Sequence, residues 1–300
     1  MNSKQTIGVL FTGDMGHSVG RVLIENGYEV ITSLKGRSSH SRKLAKIAGI
    51  TDVDNLSSVI KQSDLVFSIL PPAAALGLAK KVSVLIKASQ KKPIFVDCNA
   101  VSPETACSIG RIITSSGSLF IDAGIIGLAP GKELGEGPRF YVSGPNVSPM
   151  MKLDGCGFRV ISLGLEIGRA SGIKMCYAGL TKGMMTLHTA ILIVAEKLDL
   201  SKDLISELSF SQADALSQME KRVPRLPADS KRWIGEMEQI AETFDHAGVT
   251  VKFHEAAAEI FKLLASTPFA NETRLTMNLD RGLSESVALY SEHLSKKKTN

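Results

Sequence analysis

The chain has 300 residues, with 44% hydrophobic and 22% charged residues and a formal net charge of +5. That composition excludes disordered and fibrous classes and supplies apolar mass for two domains or one large one. Much of the excess charge lies in the terminal "SKKKTN", read as a solvated end; the other cations are scattered, so no nucleic-acid partner is expected.

"TIGVLF" is a short apolar run ended by Thr-Gly. "VGRVLIENG" follows with helical spacing and Gly27 as its stop. "YEVITSL" is β-rich, and "SRKLAKIAG" is a second short helix with a glycine stop. "DLVFSIL" is a continuous apolar strand ended by Pro71-Pro72, and "PIFVDCN" and "SLFIDAGI" are further strands, each after a helix-like segment. Apolar strands alternating with helices predict a mostly parallel sheet covered on both faces, a Rossmann-type α/β arrangement. "RFYVSG" and "FRVISLG" add two strand-like pieces.

After Gly164 the strand signals fade. "GIKMCYAGLTKGMMTLHTAILIVAEKLDL" reads as one long helix. "KRWIGEMEQIAETFDHAG" carries an apolar stripe through Trp233, Ile234, Met237, Ile240, Ala241 and Phe244, and "KFHEAAAEIFKLLAST" is a third helix. The expectation is an α/β dinucleotide-binding domain over 1–164 and an all-α substrate and dimerisation domain over 165–300. Cys98, Cys107, Cys156 and Cys176 form no Cys-x-x-Cys pair, so no disulfide framework or metal site is expected, and reduced thiols suit a cytoplasmic protein. The start shows no leader pattern, and the apolar stretch from Leu187 to Ala195 is expected to be too short and interrupted to span a bilayer.

The candidate cofactor site opens at "IGVLFTGDMGHSVG". Backbone N–H groups at a helix start favour a phosphate, and glycines admit its close approach. Gly13 and Gly16 take the second and third places of Gly-x-Gly-x-x-Gly, but Phe11 stands at the first, so the turn from Thr12 through Gly13, Asp14, Met15 and Gly16 is either a phosphate cradle or a plain tight turn. The end of the second strand, "ITSLKGRSSHSR", has no acid for a ribose diol. Lys35, Arg37, Ser38, Ser39 and Arg42 suit a 2′-phosphate instead, which predicts NADP rather than NAD.

The chain resembles the 6-phosphogluconate dehydrogenase and β-hydroxyacid dehydrogenase superfamily. The resemblance lies in the turn Phe11 to Gly16, "SILPP", "DCNAVSP" (Asp97 to Pro103), "DAGIIGL" (Asp122 to Leu128) and Lys174 in "ASGIKMCYAGLTKG". "GPRFYVSG" and "RWIGEMEQIAETF" resemble a subgroup with a distinct helical C-terminal domain. The resemblance implies a cofactor site that adds Leu70, Pro71 and Asn99, and a substrate loop at Gly124, Ile125, Ile126 and Gly127. It also implies Lys174 as catalytic acid/base and a homodimer through the helical domain. Ile126 stands where the family has a serine, and Ala178 where it has an asparagine, so the reaction type carries over better than the substrate.

Hydride transfer at an alcohol carbon needs a proton partner at the oxygen, which a lysine of lowered pKa supplies. Lys182, two turns beyond Lys174, is a candidate contact for an anionic substrate. Asn99, at a strand end, is a candidate for cofactor or substrate, or a capping residue. His188 and His254 read as packing histidines. The leading function is an NADP-dependent oxidoreductase of small hydroxy or oxo compounds, acids among them. Imine reduction and a non-catalytic NADP-binding sensor are the alternatives.

Overall fold

The computed structural model describes residues 5–131 and 137–294; the "SKKKTN" end lies outside them. The strands are β1 (Thr6–Leu10), β2 (Glu29–Thr32), β3 (Thr51–Asp52), β4 (Leu65–Ser68), β5 (Ile94–Asp97), β6 (Phe120–Ile126), β7 (Arg139–Ser143) and β8 (Arg159–Ser162). They form one sheet in the order β3-β2-β1-β4-β5-β6-β7-β8. Every pairing is parallel except β6 with β7. The chain therefore starts in the middle of the sheet and reverses direction between β1 and β4, the place where such sheets bind ligands at their carboxyl ends. The two-residue β3 has no apolar run to announce it in the sequence.

Helices α1 (Asp14–Glu25), α2 (Ser39–Ala48), α3 (Leu56–Gln62), α4 (Pro72–Ala88), α5 (Pro103–Thr114) and the short α6 (Ser148–Met151) connect these strands. Successive strand residues point to opposite faces. Val9 and Phe67 enter one buried cluster, Leu10 and Val66 the other. Both faces are covered, which is why β4 and β5 read as unbroken apolar runs.

The described chain divides into two compact units, Met1–Tyr177 and Ala178–Asn300. The division falls inside α7 (Arg169–Lys197), beyond the expected boundary at 164, because the first turns of α7 pack onto β6. The second unit continues with α8 (Ser201–Ser211), α9 (Ala213–Arg222), α10 (Pro227–His246), α11 (Lys252–Ser266) and α12 (Leu283–Glu292). The stripe read on α10 is its packed face: Met237, Ile240 and Ala241 are buried, and Trp233 meets Phe261 of α11 edge-on at 5.3 Å.

All four cysteines are free thiols. Helix α7, at 29 residues, is long and apolar enough to cross a bilayer by length and composition, contrary to the expectation from its Leu187–Ala195 core alone. Half of its apolar window is buried in the protein.

Candidate functional site

At the end of β1 the chain turns into α1 through Phe11, Thr12 and Gly13. Phe11 has φ +123°, a conformation suited to glycine, so the backbone keeps the shape of the missing first glycine. Gly16 is required: a Cβ there would lie 2.1 Å from the Phe11 carbonyl oxygen. Gly13 is the N-cap of α1 and no side chain caps that end, so its leading N–H groups are placed for an anion. Thr12 is buried, and its hydroxyl donates to the Ser41 carbonyl at 2.9 Å, tying the turn to the start of α2. Asp14 is exposed and Met15 packs against the core.

The loop after β2 is a built turn. The Arg42 guanidinium donates to the carbonyls of Leu34 (2.6 Å) and Arg37 (3.3 Å), so this cation clamps the loop itself. Ser38 is the N-cap of α2 and accepts from the Ser41 N–H. Lys35 is exposed. The Arg37 guanidinium sits over the Phe11 ring, 5.1 Å from its centroid. The uncapped N–H groups fit the pyrophosphate of a dinucleotide, and the loop after β2 places the cations Lys35 and Arg37 near the same turn.

A second cluster lies at the ends of β4 and β5 and on the neighbouring β6, where Asp122 is in register with Asp97. Asn99 is buried with its amide fully engaged: Nδ2 donates to Asp97 Oδ1 (2.6 Å) and Ser68 Oγ (2.8 Å), and Oδ1 accepts from the Leu70 N–H (2.7 Å). Asn99 therefore holds the turn at Leu70-Pro71 in place. Asp122 is 0% exposed and accepts four hydrogen bonds. They come from the Gly168 N–H (2.9 Å), the Ser171 N–H (3.1 Å), Ser143 Oγ (3.0 Å) and Ser171 Oγ (2.6 Å). A carboxylate on β6 thus caps the first turn of α7. Burial raises the Asp122 carboxyl above the usual range, and these hydrogen bonds oppose the rise.

Gly124, on the same strand, is where α7 lands. A Cβ there would lie 2.5 Å from the Ala170 carbonyl oxygen and 2.9 Å from Lys174 Cβ. Lys174 is half-buried and rises from α7 beside Gly124. Ile125 is buried, Ile126 is half-buried, and Gly127 is exposed at φ +119°. Three residues of the expected substrate loop, Gly124, Ile125 and Ile126, are thus the last of β6, against which the helix carrying Lys174 docks, and Gly127 follows the strand. Sequence reasoning missed the parts of Asp97 and Asp122. The signal was present as an acid inside each apolar run, "IFVD" and "FIDAG", since a buried carboxyl needs partners.

In the second unit, Lys182 is buried and paired with Glu236 at 2.7 Å, its ammonium 5.4 Å from the Trp233 ring centroid. Its charge is satisfied there, so an anionic substrate would have to displace Glu236. His254 is buried edge-on to Phe244 at 4.2 Å, and burial lowers its pKa, in keeping with a packing role. His188 is buried as well.

Burial, followed by repulsion from Asp122, pushes the Asp97 carboxyl up to about 7, against hydrogen bonds from Asn99 and Ser68. Unfolded, the group titrates near 3.8. Between these values the folded state holds a proton that the unfolded state has lost, so stability falls as pH rises from ~4 to ~7. Asp97→Asn is expected to raise unfolding free energy by about 1–4 kcal/mol at pH 8 and to change little at pH 4. Urea unfolding at the two pH values checks this; equal effects at both contradict it.

Residues 6–147 match the NAD binding domain of 6-phosphogluconate dehydrogenase, and residues 195–264 match a domain of unknown function, DUF1932. An uncharacterised 28.5 kDa protein of Methanothermus fervidus is 31% identical over 202 residues, 67% of this chain and 75% of its own length. Mitochondrial 3-hydroxyisobutyrate dehydrogenase of Drosophila melanogaster is 30% identical over 129 residues, 43% of this chain and 39% of that enzyme. Among solved structures, a conserved protein of unknown function described as structurally similar to 3-hydroxyacid dehydrogenases superposes with TM-score 0.62 at 28% identity, covering 86% of this chain and 96% of its own. Mycobacterium tuberculosis 3-hydroxyisobutyrate dehydrogenase shares the fold at TM-score 0.64 and 17% identity, covering 95% of this chain and 98% of its own. An imine reductase variant of Myxococcus stipitatus in complex with NAD+ does so at 0.55 and 13%, covering 87% and 92%.

Proposed function

The chain belongs to the 6-phosphogluconate dehydrogenase and β-hydroxyacid dehydrogenase superfamily, and on that premise we propose that it is an NADP-dependent oxidoreductase of small hydroxy or oxo compounds with Lys174 as general acid/base. Its cofactor class is a nicotinamide dinucleotide. The observation that supports the reading is the placing of two cations at strand ends of one unit: Arg37 after β2, and Lys174 beside Gly124 on β6. The turn from Thr12 to Gly16 would hold the pyrophosphate through backbone N–H groups, and Arg37 and Lys35 the 2′-phosphate. A bound nicotinamide ring supplies or accepts the hydride. Lys174 Nζ takes the hydroxyl proton in oxidation and returns it to the carbonyl oxygen in reduction. The Gly124–Gly127 backbone lines the substrate, and Ile126 in place of a hydroxyl residue favours a less polar substrate than a sugar acid.

The test is a turnover screen of small hydroxy acids, carbonyl compounds and imines with both cofactors. Lysine-dependent turnover of a hydroxy or oxo compound supports the reading. Imine turnover that persists in Lys174→Ala assigns the reductase alternative. Tight cofactor binding without turnover across the screen favours a sensor.

The partner belonging to this proposal is a second copy of the chain. Between Leu180 and Val194, every exposed residue of α7 is apolar: Leu180, Met184, Leu187, Ile191 and Val194. They recur at alternating steps of four and three, the seam that matches an identical helix. With Leu198 the stripe offers roughly 500 Å² of apolar surface, most of the ~800 Å² per partner in a standard interface. Light scattering is expected to give twice the 32.1 kDa chain mass, and Leu187→Glu to give the monomer with helicity retained. A monomeric unmodified protein, or one that cosediments with lipid vesicles through this face, contradicts the assignment.

A further inference from the structure

We infer that Phe11 is a positioning residue for cofactor selectivity, its ring holding the Arg37 guanidinium where a 2′-phosphate binds. The inference rests on the NADP reading above and goes beyond it, because it gives a role to the residue that breaks the glycine pattern.

Two observations made independently carry it. First, Phe11 occupies φ +123°, where a glycine would sit without strain and a β-carbon does not. A strained residue at a ligand turn points to a use for its side chain. Second, that side chain has a definite place. Its edge lies against Gly13, where a Cβ would be 2.9 Å from the Phe11 Cε1 atom, and its face lies under Arg37, 5.1 Å from guanidinium carbon to ring centroid. The ring therefore bridges the phosphate turn and the β2 loop.

The chemistry of the pair suits an anion. A guanidinium resting on an aromatic face leaves its N–H edge open for paired hydrogen bonds to phosphate. Among the described residues no carboxylate pairs with Arg37, so its charge is available. The loop backbone is fixed as well: the Arg37 N–H donates to the Leu34 carbonyl at 3.1 Å, and Arg42 clamps the Leu34 and Arg37 carbonyls. With the main chain fixed by Arg42 and the side chain by Phe11, little ordering is left to do when the phosphate arrives. A ribose diol carries no charge for the arginine and gains far less from this arrangement.

The test measures dissociation constants for NADPH and NADH by nucleotide fluorescence, with melting temperature as a second readout. Phe11→Leu keeps the β-carbon and removes the ring face; it is expected to weaken NADPH about tenfold and NADH less than about threefold. Phe11→Tyr keeps the face and is expected to restore the ratio. Phe11→Gly is expected to lose the same selectivity while melting higher, because the backbone strain is relieved. In Arg37→Ala, the further change Phe11→Leu is expected to alter the ratio no more, since the ring acts through the arginine. An unmodified protein that prefers NADPH, with Phe11→Leu or Phe11→Gly keeping that preference, overturns this inference alone. An unmodified protein without preference overturns both it and the NADP reading.

Discussion

Lys174→Ala is expected to lower kcat by about 10²–10⁴-fold on the substrate found by screening, while the NADPH dissociation constant stays within about twofold. The size follows from the step removed. An alcohol carbon cannot release a hydride readily while its oxygen keeps the proton, and on the proposed reading Lys174, beside Gly124 on β6, takes that proton. The split between kcat and cofactor affinity separates this role from a structural one. Lys174 meets Gly124 through its Cβ, which alanine keeps, so the variant removes the amine without removing that helix contact. Single-turnover kinetics with NADPH in excess isolate the chemical step. Full activity in the variant removes the lysine from the mechanism.

Asp122→Ala is expected to cost about 3–5 kcal/mol of folding stability, the largest effect foreseen for a single carboxylate here. Four donors lose their acceptor at once in a fully buried place: two N–H groups at the start of α7 and two serine hydroxyls. Water cannot replace the carboxylate without opening the junction of β6 and α7. Those N–H groups belong to the turn that sets the direction of α7, so the residual folded protein is also expected to lose turnover through misplacement of Lys174. Urea unfolding followed by circular dichroism checks the stability term. A loss below about 1 kcal/mol contradicts the capping role.

The architecture was legible where periodicity was strong. The apolar runs of β1, β4, β5 and β6 and the stripe of α10 stood out because burial on two faces or on one helical face leaves a regular trace. The short β3 left none, since two exposed residues joined to a sheet edge need no apolar pattern. The domain boundary was displaced for a similar reason: helix α7 begins in one compact unit and ends in the other, and composition changes at 164 before the packing does.

The turn at Gly13 and Gly16, the basic loop and Lys174 stood out in the sequence as candidates. The sequence did not separate cations that face solvent from cations that hold the chain. Arg37 and Arg42 look alike in "GRSSHSR", yet one rests on Phe11 and the other clamps two carbonyls. Lys182 likewise reads as a spare charge until Glu236, 54 positions away in the sequence, is found 2.7 Å from it. Asn99 and Asp122 are of the same kind. Their partners lie on other strands and helices, so only the tertiary structure assigns them.

One titration tests most directly whether the cations at the end of β2 hold a 2′-phosphate, as proposed above. The unmodified protein is titrated with NADPH and, separately, with NADH at fixed ionic strength. The predicted result is NADPH binding at least about tenfold tighter, with the difference shrinking as salt rises, as a phosphate–arginine contact requires. Equal affinity for the two nucleotides, or no binding of either, would contradict the account at its centre.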